Sequence, residues 1–403
     1  MPTEPAHPAT GAPATGTRRG ELDVLRALVV LGLVFFHAAL VFSPDDDYYV
    51  KNRDTSGAVT VLAGFGVVWA MPMLFLVAGL GARHSLRRRG PGGFARERLL
   101  RLGVPLVFAT LALNPLPQWL RERAAGPGHH EPYGHFWLRF LTVRPDPADF
   151  PFVLDGRYFE TGHLWFVVLL LAFCLMLAPV ADPLARAAGR AAPALRRRPA
   201  LLLLPALVLA AIDALLGMEE GFAGWNRWAY LLFFLYGHAL ADDERARAAT
   251  RRLTVPAGVL GLALFAATAP GFTSLDDPFT DGSAFALVTR ALFGAAGWCW
   301  VLAILGVLER RREAAPREAR GRERGRAVRG YLVTAALPLY VLHQPVLVAF
   351  AYGVVGWAAP APVKYAAIVA ASLAAVLLLY EYAVRRTPVT RVLFGMRAAA
   401  PPG

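Results

Sequence analysis

Cysteine is nearly absent. The chain has two in 403 residues, Cys174 and Cys299, both inside apolar runs. That excludes a disulfide framework and a cysteine-based metal site. Lysine is as scarce: Lys51 and Lys364 stand against forty arginines. With the abundant alanine, this bias reads as a GC-rich bacterial genome rather than as a function. Charge of either sign is thin, at 18% of residues, whereas 56% are hydrophobic and the mean hydropathy is +0.43. Such a chain is too apolar for an ordinary soluble domain and suits a protein that crosses a membrane many times. The net charge of +13 would otherwise suggest nucleic acid. It is spread by loop rather than gathered in a patch with aromatic stacking partners, so nucleic acid is set aside as a partner.

Ten apolar segments of roughly membrane-spanning length follow one another, at about 22–43, 58–82, 99–120, 163–182, 200–217, 226–241, 254–270, 284–308, 330–352 and 363–384. The expected fold is therefore all-α, a polytopic helical bundle of about ten transmembrane helices. Pro105, Pro115 and Pro117 punctuate the third segment, and Pro338 and Pro345 predict a kink or break in the ninth. Residues 1–20, rich in Pro, Ala, Thr and Gly, read as a disordered tail. Arg18-Arg19 resembles a twin-arginine signal, but the apolar run after it carries Arg26 and His37 and lacks a clear cleavage site, so it reads as a retained first span. Residues 21–386 form the membrane domain and 387–403 a C-terminal tail. No soluble catalytic domain and no internal repeat is evident.

The basic residues orient the bundle. With the N-terminus in the cytoplasm and loops assigned alternately, thirty fall inside and nine outside, leaving Arg26, Arg101 and Arg290 within spans. That imbalance predicts two cytoplasmic termini and an even number of spans in a bacterial plasma membrane.

Ionisable residues inside such segments are costly and usually face a bundle interior or a water-filled cavity. The first span holds three: Asp23, Arg26 and His37. Eleven helical residues from Arg26 to His37 make three turns plus roughly 20°, so both share one face, about 16 Å apart along the axis. The chosen orientation puts Asp23 and Arg26 near the cytoplasmic mouth and His37 near the membrane centre. A neutral imidazole there can remove a proton from a hydroxyl as general base. An arginine at the mouth can hold phosphate or carboxylate with its fork of donors. The plainer alternative is an interfacial Asp23–Arg26 pair and a structural histidine.

Other candidates are less sharply defined. Arg98 and Arg101 share a helix face at i, i+3 and with Arg96 can grip phosphates, or merely anchor the topology. His343, beside Gln344 and Pro345, is either an acceptor-site residue or a partner for a carbonyl freed by proline. His163 and Trp165 enter the fourth span at the outer interface, where Trp is either a belt anchor or a sugar-stacking platform. Arg290 can bind an anionic group or snorkel outward. Interfacial positions account for Asp213 and Glu381. The outer loop carries His129, His130, Glu131 and His135, whose spacing does not match a His-Glu-x-x-His helix, so no metal site is assigned.

Several of these stretches resemble the membrane acyltransferase-3 family. Arg26 followed after ten residues by His37 is one. The others are Pro72-Met-Leu-Phe-Leu-Val-Ala-Gly79, Arg96-Glu-Arg-Leu-Leu-Arg101-Leu-Gly-Val-Pro105, Gly162-His-Leu-Trp-Phe166 and Leu339-Tyr-Val-Leu-His343-Gln-Pro-Val346. Their order and spacing cover about residues 20–386. The closest branch is that of the glucan succinyltransferases, glucan biosynthesis protein C, which shares the Leu-Asp-x-x-Arg-Ala and Gly-His-Leu-Trp-Phe patterns. The resemblance implies an O-acyltransferase with about ten core helices. It implies acyl-CoA, as co-substrate rather than bound cofactor, and a hydroxyl acceptor on a carbohydrate, glycolipid or secondary metabolite, with acetyl and succinyl both open. It makes His37 the expected base and Arg26 a donor contact; the residues' own positions then make Arg96, Arg98 and Arg101 the donor-side candidates and His163, Trp165, Arg290 and His343 the acceptor-side candidates. Ala78-Gly79 departs from the family's usual Ser-Gly. The rival class is a transporter of a glycan or lipid precursor, which paired buried acids and internal symmetry would favour.

Overall fold

A computed structural model describes residues 20–44, 48–126, 131–241, 243–314 and 323–398. Strand structure among them is limited to one antiparallel pair, Arg144–Pro145 with Leu154–Asp155. The rest of the regular structure is helical. In chain order the helices are α1 (Gly20–Leu40), α2 (Gly57–Val67), α3 (Ala70–Arg98), α4 (Val104–Ala112), α5 (Pro115–Ala124), α6 (Tyr133–Phe140), α7 (Trp165–Arg197), α8 (Leu204–Leu216), α9 (Arg227–Leu240), α10 (Glu244–Ser274), α11 (Ala284–Ala314), α12 (Glu323–Val354), α13 (Ala361–Leu379) and α14 (Pro388–Leu393). Short π-helical stretches, Leu99–Gly103 and Tyr380–Val384, lead into α4 and continue α13.

Among the described residues, eight helical stretches are long and apolar enough to cross a membrane. The chain is an all-α polytopic membrane protein. Two of the ten expected segments, 58–82 and 99–120, fall in one such stretch, Gly57–Ala124. The expected sixth segment is α9, which at 14 residues is only about 21 Å long.

The stretch Gly57–Ala124 turns at Gly90, whose φ of +70° is a backbone state that lacks a penalty only for glycine, and Pro91 follows it. The turn folds the helix end back on itself. Glu97 Oε2 then accepts from Ser85 Oγ at 3.2 Å, and Glu97 Oε1 pairs with Arg89 at 3.4 Å. A row of arginines is thereby wrapped around one end of the bundle.

α3 and α9 approach through glycine. A Cβ on Gly79 would lie 1.9 Å from the Phe234 carbonyl oxygen, and one on Gly237 would lie 2.0 Å from that of Leu76. Small residues that let backbones touch are how helices associate where lipid offers no hydrophobic drive. The family-like glycine of the second span is thus a packing residue.

α12 runs without a break through Pro338 and Pro345. Residues 387–398, at the start of the expected C-terminal tail, form α14 and then return Phe394 and Met396 to the core, with Arg101 Nε donating to the Gly395 carbonyl at 3.3 Å.

Candidate active site

α1 and α12 lie side by side and carry the site. On α12, Val333, Ala336, Leu337 and Tyr340 recur at helical spacing and line one wall of a cavity of about 650 Å³. Leu22, Asp23, Arg26 and Val30 of α1 line another. The cavity mouth is set among arginines. Arg88, Arg89, Arg98 and Arg101 come from the turn at Gly90, Arg247 from α10, Arg312 from α11 and Arg397 from the segment after α14. Charge alternation had assigned all four of these regions to one side, and here they converge on one opening. The guanidinium of Arg98 sits 5.0 Å over the Phe94 ring, and its buried Nε has no protein partner among the described residues. Arg96 is exposed and does not line the cavity, so it does not join Arg98 and Arg101 as expected.

His37 lies seven residues beyond Val30, roughly two turns or about 10 Å farther along α1. It is not part of the cavity wall. Its partner comes from α12: His343 Nε2 lies 3.0 Å from His37 Nδ1, the ring centroids 5.0 Å apart. His343 Nδ1 lies 2.5 Å from the Tyr340 carbonyl oxygen. Tyr340 thus belongs to the cavity wall and also holds the histidine pair. It went unnoticed in the sequence, although its place three residues before His343 on the same stripe was a usable signal.

His163 makes the cluster a trio, its ring centroid 5.0 Å from that of His343. Its Nε2 lies 3.2 Å from the Val341 carbonyl oxygen. The reason is Pro345: a proline has no N–H, so the carbonyl four residues earlier, that of Val341, loses its helical donor. The expected partner for that carbonyl was His343 or Gln344 beside the proline; His163, from a distant segment, takes that place, and His343 turns to the Tyr340 carbonyl instead. The Tyr340 hydroxyl donates to the His163 carbonyl oxygen and completes the brace. Pro345→Ala should therefore raise thermal stability, because proline in a helix interior costs about 3 kcal/mol. It should also lower turnover, because the new N–H competes with His163 for Val341. A melting curve and an activity assay on the same preparation check both signs.

Beyond His37, away from the arginines, lies a polar tier. Tyr48 stacks on His37 with centroids 6.0 Å apart. Tyr49 donates to Glu160, and Asn114 Nδ2 donates to the Thr161 carbonyl at 2.7 Å. Two expected acceptor-side residues lie elsewhere. Trp165 packs among Phe75, Phe222 and Tyr230, with centroids 5.3 to 6.4 Å away, an interior aromatic column and not an interfacial belt. Arg290 is 2% exposed and donates to the Ala214 and Pro278 carbonyls at 3.2 and 3.1 Å, closing the end of α8 instead of snorkelling. Asp213, expected at an interface, is fully buried and accepts from the Asn226 backbone N–H at 3.3 Å. His129 and His130 lie outside the described residues.

A multi-span helical membrane protein thus carries a buried imidazole cluster beyond an arginine-lined cavity. The family model described as an acyltransferase domain, of the acyltransferase-3 type, matches residues 19–381, and the chain belongs to that family. It is a membrane acyltransferase. No curated protein and no solved structure matches the chain.

Proposed function

We propose that the protein moves an acetyl or succinyl group from acyl-CoA, docked at the arginine-lined cavity, to a hydroxyl of a carbohydrate or related acceptor at His37. The supporting observation is the continuity of α1 and α12. One pair of helices lines the cavity with Arg26 and Tyr340, then presents His37 and His343 to each other. The cavity volume suits a small molecule, and a group of guanidinium forks suits a donor with several phosphates. The side on which the arginines gather is the cytoplasm in this reading, where acyl-CoA is made, and the membrane is the bacterial plasma membrane.

The chemistry is a single transfer. His37 takes the proton of the acceptor hydroxyl as its oxygen attacks the thioester carbonyl. The tetrahedral intermediate collapses with cleavage of the carbon–sulfur bond, and the leaving thiolate receives the proton from His37. One ester and one free CoA thiol result. Arg26, Arg98 and Arg101 hold the donor; Asp23, beside Arg26 on the cavity wall, orients it. Ala78 lines the cavity where the family usually has serine, so no hydroxyl at that position takes part. The polar tier of Tyr48, Tyr49, Asn114 and Glu160 offers hydroxyl-bearing acceptors donors and acceptors in kind. A sugar is the acceptor class this favours, as does the resemblance to the glucan-modifying branch.

Arg98 gives the direct test of the donor. Hydrogen bonds to charged groups contribute about 1.5–3 kcal/mol. Arg98→Gln should raise KM for acyl-CoA roughly tenfold or more with little change in kcat. An unchanged KM in a folded variant rules out this docking site.

A further inference from the structure

The hydrogen bonds of the histidine pair specify where its protons sit. We infer that His343 is a positioning residue: it holds His37 protonated on Nδ1 and leaves His37 Nε2 as the atom that accepts the substrate proton. The inference rests on the acyl-transfer reading only for the word substrate. The proton placement stands on geometry.

A backbone carbonyl fixes the first proton. Tyr340 O can only accept, so His343 Nδ1, 2.5 Å away, must carry a hydrogen. A neutral imidazole has one N–H, so His343 Nε2 is then a bare acceptor. His37 Nδ1 lies 3.0 Å from that atom, and two lone pairs cannot face each other at that distance. His37 Nδ1 must therefore be the donor. The Leu33 carbonyl, one turn earlier on α1, is another acceptor beside the His37 ring. The remaining nitrogen, His37 Nε2, keeps its lone pair and is the base.

Neighbouring groups brace the pair. His343 is 1% exposed, and His163, pinned through Nε2 to the carbonyl that Pro345 frees, packs edge-on against it. Tyr48 covers the other face of His37. A ring that is fixed by its own helix carbonyl cannot flip to offer His37 a donor in place of an acceptor. A second group that fixes the tautomer and aim of a catalytic imidazole is a general device, usually supplied by a carboxylate. Here an imidazole supplies it, and no charge is added to a membrane interior.

Two arms test this. In the first, full-length protein labelled with ¹⁵N-histidine is placed in lipid nanodiscs, and its ring-nitrogen shifts are read by solid-state NMR. The His37 and His343 signals are identified by their loss in His37→Gln and His343→Gln. Both residues should be protonated on Nδ1 and bare on Nε2. A His37 proton on Nε2 with Nδ1 bare overturns the inference. In the second arm, His343→Gln retains a side-chain oxygen that can accept from His37, and His343→Phe does not. The Gln variant should keep kcat within about tenfold, and the Phe variant should lose about 10²–10⁴-fold, with KM for acyl-CoA unchanged in both. Equal kcat in the two, whether both active or both dead, contradicts the positioning role. If the Phe variant fails to reach the membrane folded, His343→Leu replaces it. Because the tautomer is read without turnover, protein that shows Nδ1–H on His37 yet moves no acyl group would sink the acyl-transfer reading and leave this inference standing.

Discussion

Cells carrying His37→Ala in place of the native chain should make almost none of the acylated product, while their membranes hold as much of the variant as of the parent. General-base catalysis contributes about 10²–10⁴-fold, so the rate of product formation should fall to about one per cent of the parent's or below. Folding should survive because α1 has no proline or strained residue near position 37, and alanine is the best helix former. His37 is also only one of several contacts between α1 and α12. Arg26→Ala should behave differently: it removes a donor contact on the cavity wall, so excess acyl-CoA should recover part of its turnover. The measurement is the mass gain on the acceptor in a deletion strain complemented with each variant. The same comparison with the deletion strain names the acyl group and its host molecule. A His37→Ala strain that makes product at the parent's level removes His37 from the chemistry.

The second large effect concerns assembly. Gly79→Leu or Gly237→Leu should prevent the protein from folding. The first carbon of either side chain would lie within about 2 Å of a carbonyl oxygen on the facing helix, so α3 and α9 must separate. Overpacking a dense interior costs about 1–3 kcal/mol per misfit even when the structure can relax. Here the obstacle is backbone, which cannot swing aside as a side chain can. Since α3 carries Ala78 to the cavity and leads to the turn at Gly90, the donor pocket would go with it. Gly64→Leu on α2, where a Cβ meets nothing within 4 Å, serves as the control and should leave the melting profile nearly unchanged. Size-exclusion profiles and thermal melts in detergent separate the two cases. A monodisperse, cooperatively melting Gly79→Leu protein would show that the helices do not meet as closely as described.

Much of this was legible in the sequence because it depends on local rules. Membrane length and hydropathy find the spans, and arginine bias finds the end where the cavity opens. Helical periodicity alone puts Arg26 and His37 on one stripe. A proline that frees a carbonyl is also a local fact, but the partner was expected in His343 or Gln344 next to it and comes instead from His163. The identity of partners was not legible. His37 and His343 are 306 residues apart, and only the packing of α1 on α12 makes them neighbours. Arg96 and Arg98 differ by two positions, about 200° around a helix, so one faces outward when the other faces the cavity. Hydropathy could not separate them. Trp165 and Arg290 sit where belt and snorkelling residues usually sit, yet both are turned inward. Trp165 finds an aromatic column there, and Arg290 finds the open carbonyls at the end of α8. Pro338 and Pro345 do not break α12, because flanking helices hold it and His163 satisfies one of the two carbonyls they release.

The most direct measurement is the release of free thiol from acetyl-CoA and succinyl-CoA by purified protein in lipid nanodiscs, with sugar acceptors present and with the His37→Ala variant alongside. The expected result is thiol release by the wild-type chain, matched by ester formed on an acceptor, with almost none from the variant although it still binds CoA. CoA-independent movement of a solute across the membrane with no thiol released, or equal release from both proteins, would contradict it.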